Sequence, residues 1–577
     1  MLFPFVIMSQ FQVNYSMDMA HHLVSEYSMF YNLENRKKVI SKRYKQVMTQ
    51  SKNRIRITIT VFLLIHIVLF MRLIQYGNIQ LELNSPVQSS EWLMTSRPNI
   101  LDRNGEILAM DIPTFSLYAE PHKIISPGEI IEKLQTVLPD LDIKMIHRKL
   151  SSQSKFQWLR RHLTPQQQNR ILSFGIPGLG FRLENRRFYP AASSTLHVVG
   201  YVDIDNRGIA GIEKFIDAQG LTHSSTAVGD EKYLAPIKLS LDLRVQEIVH
   251  QALIENKKKY DAKSAGTIIL NVSTGEVVAM VSIPDHDPHD PIDKKKEGWL
   301  NRISYGIFEM GSIFKVFTIA MGIDSGLFTI NDTIDTRHPI KIGKYFIKDF
   351  HPKARILTIP EILQYSSNIG AAKIADAIGI SQHKDFLQKL GLLTKVETEL
   401  PEIKAPSHPH QWKRIHSLTI AFGHGIATTP LQTAVAAAAL VNGGYLISPT
   451  FMIRSRSEAE KISRTVLKKN TVETMRSLLR QGVVGGSGRR AYVPGFEVGG
   501  KTGTAQKVID GNYSDEVNFN SFLAVFPTRN PRYIVLSFMD SPKIKSHNQL
   551  TAGVNVAPMV GEIIRQSATM LGVKPVF

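Results

Sequence analysis

Ser312 and Lys315 stand three residues apart in GSIFK, directly ahead of the apolar run VFTIAMGI. Gly311 breaks the chain and the apolar run continues as a helix, so Ser312 is expected at or near a helix N-terminus with Lys315 one turn on, on the same face. A serine hydroxyl is a poor nucleophile until a neighbour takes its proton, and a desolvated, neutral lysine can take it. The helix dipole also favours negative charge developing near Ser312. A capping serine beside a surface lysine would leave the same tetrapeptide.

Two further segments carry polar groups of matching use. Ser366-Ser367-Asn368 interrupts two apolar helical patterns, EILQY and IGAAKIADAIG. There Ser366 could relay a proton and Asn368 could hold an amide, or both could simply cap helices. Lys501-Thr502-Gly503-Thr504 follows Gly499-Gly500 in a strand context. Alternation puts Thr502 and Thr504 on one face, and Gly503 leaves the backbone open to close approach. Two hydroxyls and a lysine on one edge make a carboxylate receptor; an edge strand guarded by a lysine is the plainer reading.

The elements that must position these groups fall into two units. Residues 97–235 read as an irregular α+β unit, opening with a hairpin turn at Arg103-Asn104-Gly105, continuing as helical patterns with proline breaks over 124–175, and turning again at Asn206-Arg207-Gly208. Residues 236–577 form the second unit. It begins with a strand and an amphipathic helix in IKLSLDLRVQEIVHQAL and a hairpin at Ser273-Thr274-Gly275. A largely helical stretch from about 305 to 440 follows, then strands in FEVGGKTGTAQKV, FNSFLAVFP and RYIVLSFMD, and a last helix over roughly 552–570. Strands, a helical block and strands able to rejoin the first sheet predict an α+β fold with helices on an antiparallel sheet.

The chain of 577 residues suits two to four folded units. A hydrophobic content of 43% with 21% charged residues is that of globular protein, and a mean hydropathy of −0.08 excludes a many-span transporter. There is no cysteine, which removes disulfides, thiolate metal sites and cysteine nucleophiles. The net charge is 69 − 50 = +19. Part of it is local: residues 1–56 hold nine Lys/Arg against three acids, 9 − 3 = +6, and the rest is spread along a chain without an RNP, zinc-finger or helix-turn-helix signature. Nucleic acid is therefore not an expected partner. Ile57–Met71 reads ITITVFLLIHIVLFM, without a formal charge and flanked by Arg56 and Arg72, which can snorkel. It predicts one transmembrane helix over 55–76, with a basic cytoplasmic tail at 1–54, a linker at 77–96 and everything beyond outside the cytoplasm. MLFPFVIM at the start is too short to span. No metal site is expected, and His21-His22 and the HDPH of 286–289 read as surface residues.

Taken together, S-x-x-K, S-x-N and K-T-G follow one another with gaps of 54 and 135 residues, the set and order found in penicillin-binding proteins and serine β-lactamases. The chain resembles the class B penicillin-binding proteins, most closely their FtsI-type cell-division D,D-transpeptidases. The resemblance covers roughly 95–570. RPNILDRNGEILA is similar to the start of that family's pedestal domain, and RRFYPAASSTLHVVGYVDIDNRGIAGIEKF to its linking segment. NVSTGEVVAMVSIP, EMGSIFK, FGHGIATTPLQ and VGGKTGTAQK are similar to its catalytic blocks. EMGSIFK departs from the usual E-P-G-S-T-F-K at Met310 and Ile313, neighbours that do not do the chemistry. Glu309, the YAEP of 118–121 and the AQK after KTGT favour the division type over the elongation type.

The resemblance implies a pedestal (dimerisation-type) domain at 97–235 and a penicillin-binding transpeptidase domain at 236–577, in a single-pass protein of the cell inner membrane with its catalytic domain in the periplasm. It implies that Ser312 attacks the carbonyl between the terminal D-alanines of a peptidoglycan stem peptide, that D-Ala leaves, and that a neighbouring strand's amine takes the acyl group. Lys315 would be the base, Ser366 the proton relay, Lys501 its electrostatic partner, and Asn368 the ligand of the substrate amide. Thr502 and Thr504, with Gly503 open between them, would bind the terminal carboxylate, and the backbone N–H groups of Ser312 and Thr504 would form the oxyanion hole. No cofactor is implied. β-Lactams would acylate Ser312, and the implied partners are division proteins, including a membrane-embedded glycan polymerase. Three rivals differ on stated features. A β-lactamase or carboxypeptidase would use water and would not keep a tail and pedestal. A bifunctional enzyme would need a glycosyltransferase domain of about 200 residues between span and transpeptidase. A penicillin sensor or division scaffold would keep the serine without turnover.

Overall fold

The computed structural model describes residues 56–72, 94–225, 234–290, 297–509, 512–543 and 551–577. The expected basic tail, residues 55 and 73–76 of the expected span, His21-His22 and most of the linker lie outside them. Residues 56–72 are one helix whose side chains are all exposed. Among the described residues no helix is long and apolar enough to cross a membrane. The chain divides into two compact units, 1–91 and 92–577.

The larger unit starts earlier than the sequence suggests. Met94–Ser96, assigned above to the linker, is a strand pairing antiparallel with His223–Ser225; a partner some 130 residues away leaves no local signal. The long strand Ile107–Ala119 is the spine of the first sheet, pairing with Leu179–Phe188 and Gln157–Leu163. It is joined to Ile100–Leu101 through the expected turn, where the Asp102 carboxylate accepts from the backbone N–H of Asn104 (2.7 Å) and Glu106 (2.9 Å). Helices Pro127–Gln135, Ile143–Leu150 and Pro165–Ser173 bury Ile131, Leu134, Ile146 and Ile171 against this sheet. The strand Gln157–Leu163 corrects the helical reading of 124–175: QWLRRHL has too few apolar positions to declare a period, and its pairing decides its state.

A buried ion cluster includes Asp111 and Arg187, cross-strand partners in this sheet. Glu213 accepts from Arg97 Nε at 2.7 Å and from Arg187 Nε at 2.6 Å, with all three side chains fully buried. Arg97 also meets Asp217 at 2.6 Å and Arg187 meets Asp111 at 3.1 Å. Ile237–Lys238 then pairs parallel with Ile100–Leu101 and leads into the second half of the unit.

That half is built on five antiparallel strands in the order Val277–Ile283, Ser264–Asn271, Tyr533–Asp540, Asn512–Phe526, Gly499–Ile509. The C-terminal strands do rejoin the N-terminal hairpin, as strand–helix–strand order predicts. Both faces are covered, and alternation sorts them. Ile268 and Leu270 pack with the helical block, whereas Ala265 and Ile269 pack with helices Leu243–Lys259 and Val556–Ser567. The 305–440 stretch holds the helices Phe314–Ser325, Ile359–Tyr365, Asn368–Ile378, Ile380–Lys389, Arg414–Ile420 and Pro430–Ala439. It is less helical than expected. Thr333–Asp335 pairs with Ile356–Thr358, and Ile340–Ile342 with Tyr345–Ile347, in strands of three residues that are too short to show a period. His286 and His289 are half-buried rather than on the surface. His289 sits 2.7 Å from Asp287 and accepts from the Tyr189 N–H at 3.0 Å, and His286 packs on Trp299 with ring centroids 3.4 Å apart. His289 joins the 188–189 segment to the second half, through the Tyr189 N–H and the Phe188 and Tyr189 rings.

Candidate active site

Gly311 has φ +54° and opens a 3-10 turn, Gly311–Ile313, that runs straight into the helix Phe314–Ser325. Ser312 therefore stands at the helix entry, half-buried, and Lys315 points inward from the first turn with no exposed surface. The edge strand Gly499–Ile509 lies against this turn because of glycine. A Cβ at Gly503 would come within 2.5 Å of the Met310 carbonyl oxygen, so any larger residue would push the strand away from the Gly311–Ile313 turn.

The third wall is the break between two helices. Ile359–Tyr365 starts with a Thr358/Glu361 capping box and ends at Ser366, in the left-handed region with φ 60° and ψ 44°. Ser367 then caps Asn368–Ile378 by accepting from the Gly370 N–H at 3.0 Å. This turn aims Ser366 and Asn368 at one point. Lys315 Nζ lies 2.9 Å from Ser312 Oγ, 3.1 Å from Ser366 Oγ, 2.7 Å from the Ser366 carbonyl oxygen and 2.7 Å from Asn368 Oδ1. Lys501 Nζ approaches the same Ser366 Oγ from the strand at 3.0 Å and donates to the Thr502 carbonyl at 3.0 Å.

Two amines are thus buried together with no carboxylate among the described residues paired to either. Burial, and after it the charge of Lys501, holds Lys315 well below the ordinary lysine range, with Asp349 opposing weakly. Burial alone brings Lys501 down to about 7. Desolvation of this kind disfavours the charged form of an amine. A neutral amine has two N–H donors and one lone pair. At Lys315 the Ser366 carbonyl and Asn368 Oδ1 are pure acceptors; in the neutral amine they would take the two N–H groups and leave the lone pair facing Ser312 Oγ. An amine so placed can turn a serine into a nucleophile.

The expected carboxylate receptor is divided by the strand. Lys501 reaches Ser366, whereas Thr502 shares a hydrogen bond with Ser487 and Thr504 Oγ1 accepts from the Ala552 N–H at 3.3 Å. The two threonines share a face, as alternation requires, and the lysine lies on the other.

Two contributors had no signature in the sequence, and a third, Glu309, was singled out there without its contact. Asp349 accepts from Ser367 Oγ at 2.8 Å and from the Ile369 N–H at 2.9 Å. The Lys348 carbonyl accepts from Asn368 Nδ2 at 2.9 Å, which fixes which way the amide faces. Glu309 accepts from the Gly425 N–H at 2.8 Å and ties the Gly311–Ile313 turn to the FGHG loop. Among the described residues no group of three or more His, Asp or Glu could hold a metal ion.

Residues 265–565 match the family described as penicillin binding protein transpeptidase domain, and residues 94–219 that described as penicillin-binding protein dimerisation domain. The probable peptidoglycan D,D-transpeptidase FtsI of Caulobacter vibrioides is 35% identical over 490 residues, covering 83% of this chain and 82% of that protein. The peptidoglycan D,D-transpeptidase FtsI of Escherichia coli K12 is 28% identical over 513 residues, covering 83% and 84%. The stage V sporulation protein D of Bacillus subtilis is also 28% identical over 513 residues, covering 83% and 79%. Both matched families and the extent of these alignments place the chain in one group: it belongs to the class B penicillin-binding proteins and is a serine-type peptidoglycan D,D-transpeptidase.

Proposed function

We propose that this transpeptidase cross-links peptidoglycan at the division septum, with Ser312 as the nucleophile. Neutral Lys315 takes the Ser312 proton as Oγ attacks the carbonyl between the terminal D-alanines. The tetrahedral oxyanion is held by the backbone N–H groups of Ser312 and Thr504. As the C–N bond breaks, the proton returns to the departing D-Ala amine through Ser366, whose hydroxyl lies between Lys315 and Lys501. The acyl-serine is then attacked by an amine of a second stem peptide, which loses its proton along the same route, and Ser312 is regenerated. Asn368 holds the substrate amide, and Thr502 and Thr504, with Gly503 between them, hold the terminal carboxylate. A β-lactam enters the first half of this cycle and stops at the acyl-serine.

One observation carries the site assignment: Lys315 Nζ lies 2.9 Å from Ser312 Oγ while its other near neighbours are neutral oxygens. The septal role rests on the FtsI-named relatives and on Glu309, YAEP and AQK. The same reading takes 97–235 as pedestal and 236–577 as catalytic domain. It anchors the chain through 55–76 in the inner membrane with 1–54 in the cytoplasm, and gives it division proteins, a glycan polymerase among them, as partners.

Fluorescent penicillin labelling followed by peptide mapping tests the site: the adduct is expected on Ser312 and absent from Ser312→Ala. A fluorescent fusion tests the role, with a midcell ring expected and a lateral-wall distribution refuting it.

A further inference from the structure

The segment 338–355 is unlike the rest of the catalytic half. It holds four lysines and one arginine against one aspartate, 5 − 1 = +4, and that aspartate, Asp349, is committed to Ser367 and Ile369. Its hairpin, Ile340–Ile342 with Tyr345–Ile347, is rooted through Ile347, 6% exposed, while the tip stands in solvent. A strand on a core alternates between buried and exposed side chains. Here consecutive Tyr345 and Phe346 are 59% and 55% exposed, and Phe350 beyond them is 63% exposed. Lysines flank these rings: Lys341 and Lys348 each lie 5.8 Å from the Phe346 ring, and Lys344 lies 5.5 Å from Tyr345. Exposed aromatics rimmed by charge mark an interaction surface. The arm is joined to the site itself, since the Lys348 carbonyl holds Asn368 Nδ2 at 2.9 Å.

We propose that this arm is a docking surface for the acidic stem peptide of a peptidoglycan strand, seating its free carboxylates on Lys341 and Lys344 and its aliphatic portions on Tyr345 and Phe346. The inference rests on the transpeptidase reading of the Ser312 site and extends it from the reacting D-alanines to the body of the peptide. Cations of one sign on a projecting arm recognise an anionic chain, and their attraction weakens with salt. A surface that shares a backbone hydrogen bond with Asn368 delivers what it binds next to Ser312.

The test uses the full chain in detergent. Binding to un-cross-linked peptidoglycan chains is measured by co-sedimentation at low and high salt, alongside the rate of acylation by a small penicillin. Lys341→Glu/Lys344→Glu is expected to weaken peptidoglycan binding about ten-fold and to flatten its salt dependence, given the modest energy of each exposed charge pair. Acylation by penicillin, which carries no stem peptide, is expected to stay within about two-fold, and Lys341→Arg/Lys344→Arg to bind as the parent does. Tyr345→Ala/Phe346→Ala is expected to lose binding without changing the salt slope. Unchanged binding by the charge-reversed variant, equal binding of peptidoglycan whose carboxylates have been amidated, or preference for vesicles of anionic lipid over peptidoglycan overturns the proposal. A parent protein that penicillin does not label refutes the underlying active-site reading, and the docking inference with it, by a result separate from any of these.

Discussion

Two buried clusters of cations lie within this molecule and have opposite fates. Around Glu213, Arg97 and Arg187 are fully buried, and each meets carboxylates at hydrogen-bond distance. Burial works against the charge of Arg187, but Glu213 and Asp111 outweigh it and its pKa is raised. Around Ser366, Lys315 and Lys501 are equally buried but meet only hydroxyl, amide and carbonyl oxygens. Their pKa values fall, that of Lys501 to about 7. The difference is one of supply. A buried cation given carboxylates stays charged and holds the fold together, whereas one denied them holds its proton less tightly and is suited to act as a base. The choice of side chain agrees with this, because arginine does not lose its proton in proteins and lysine does.

The largest effect expected from breaking this contrast is at Lys315. Lys315→Ala should slow acylation by penicillin about 10²–10⁴-fold, the usual worth of a positioned general base, without lowering the melting temperature by much, since the lost amine was buried without a carboxylate partner. Stopped-flow or gel labelling rates read the first, a thermal melt the second. The converse substitution is Glu213→Ala, which takes from two buried guanidinium groups the carboxylate they share and leaves each with one other, Asp217 or Asp111. It should cost about 3–5 kcal/mol of stability while the protein that remains folded is acylated at the parent's rate; denaturant titration and labelling at low temperature separate the two. Thr502→Val is the smallest. It removes one hydroxyl from the proposed carboxylate receptor and should raise the KM for a D-Ala-D-Ala peptide by roughly two- to ten-fold, the worth of one hydrogen bond, with kcat little changed.

Much of the site could be read from the chain, because its parts are local. The three-residue spacing of Ser312 and Lys315 puts both on one helix face, and the glycine before them marks the helix entry. The Ser366–Asn368 break needs nothing beyond two helical patterns that stop and restart. The meeting of segments 54 and 135 residues apart was carried by resemblance and not by any periodicity. What stayed hidden is tertiary. Asp349 is one acid in a loop until Ser367 and Ile369 close on it, and Ser487 is one serine among glycines until it meets Thr502. In the fold, the same reason hid Met94–Ser96, whose partner is His223–Ser225, and Gln157–Leu163, whose state comes from pairing with Ile107–Ala119. The alternation of Lys501 against Thr502 was open to reading, but a single shared edge obscured it.

The pH dependence of Ser312 acylation in the parent and in Lys501→Gln tests the central claim most directly. Lys315 must be neutral to act, so the rate falls as pH drops through its pKa. With that pKa held well below the ordinary 10.5, the parent's rate should fall off at a pH well below that value. Lys501→Gln removes a cation that helps to hold Lys315 down, so its acid limb should move to higher pH. A parent rate that climbs only near the ordinary lysine pKa, or an acid limb that Lys501→Gln leaves in place, would contradict the claim that a buried, unpaired lysine pair activates this serine.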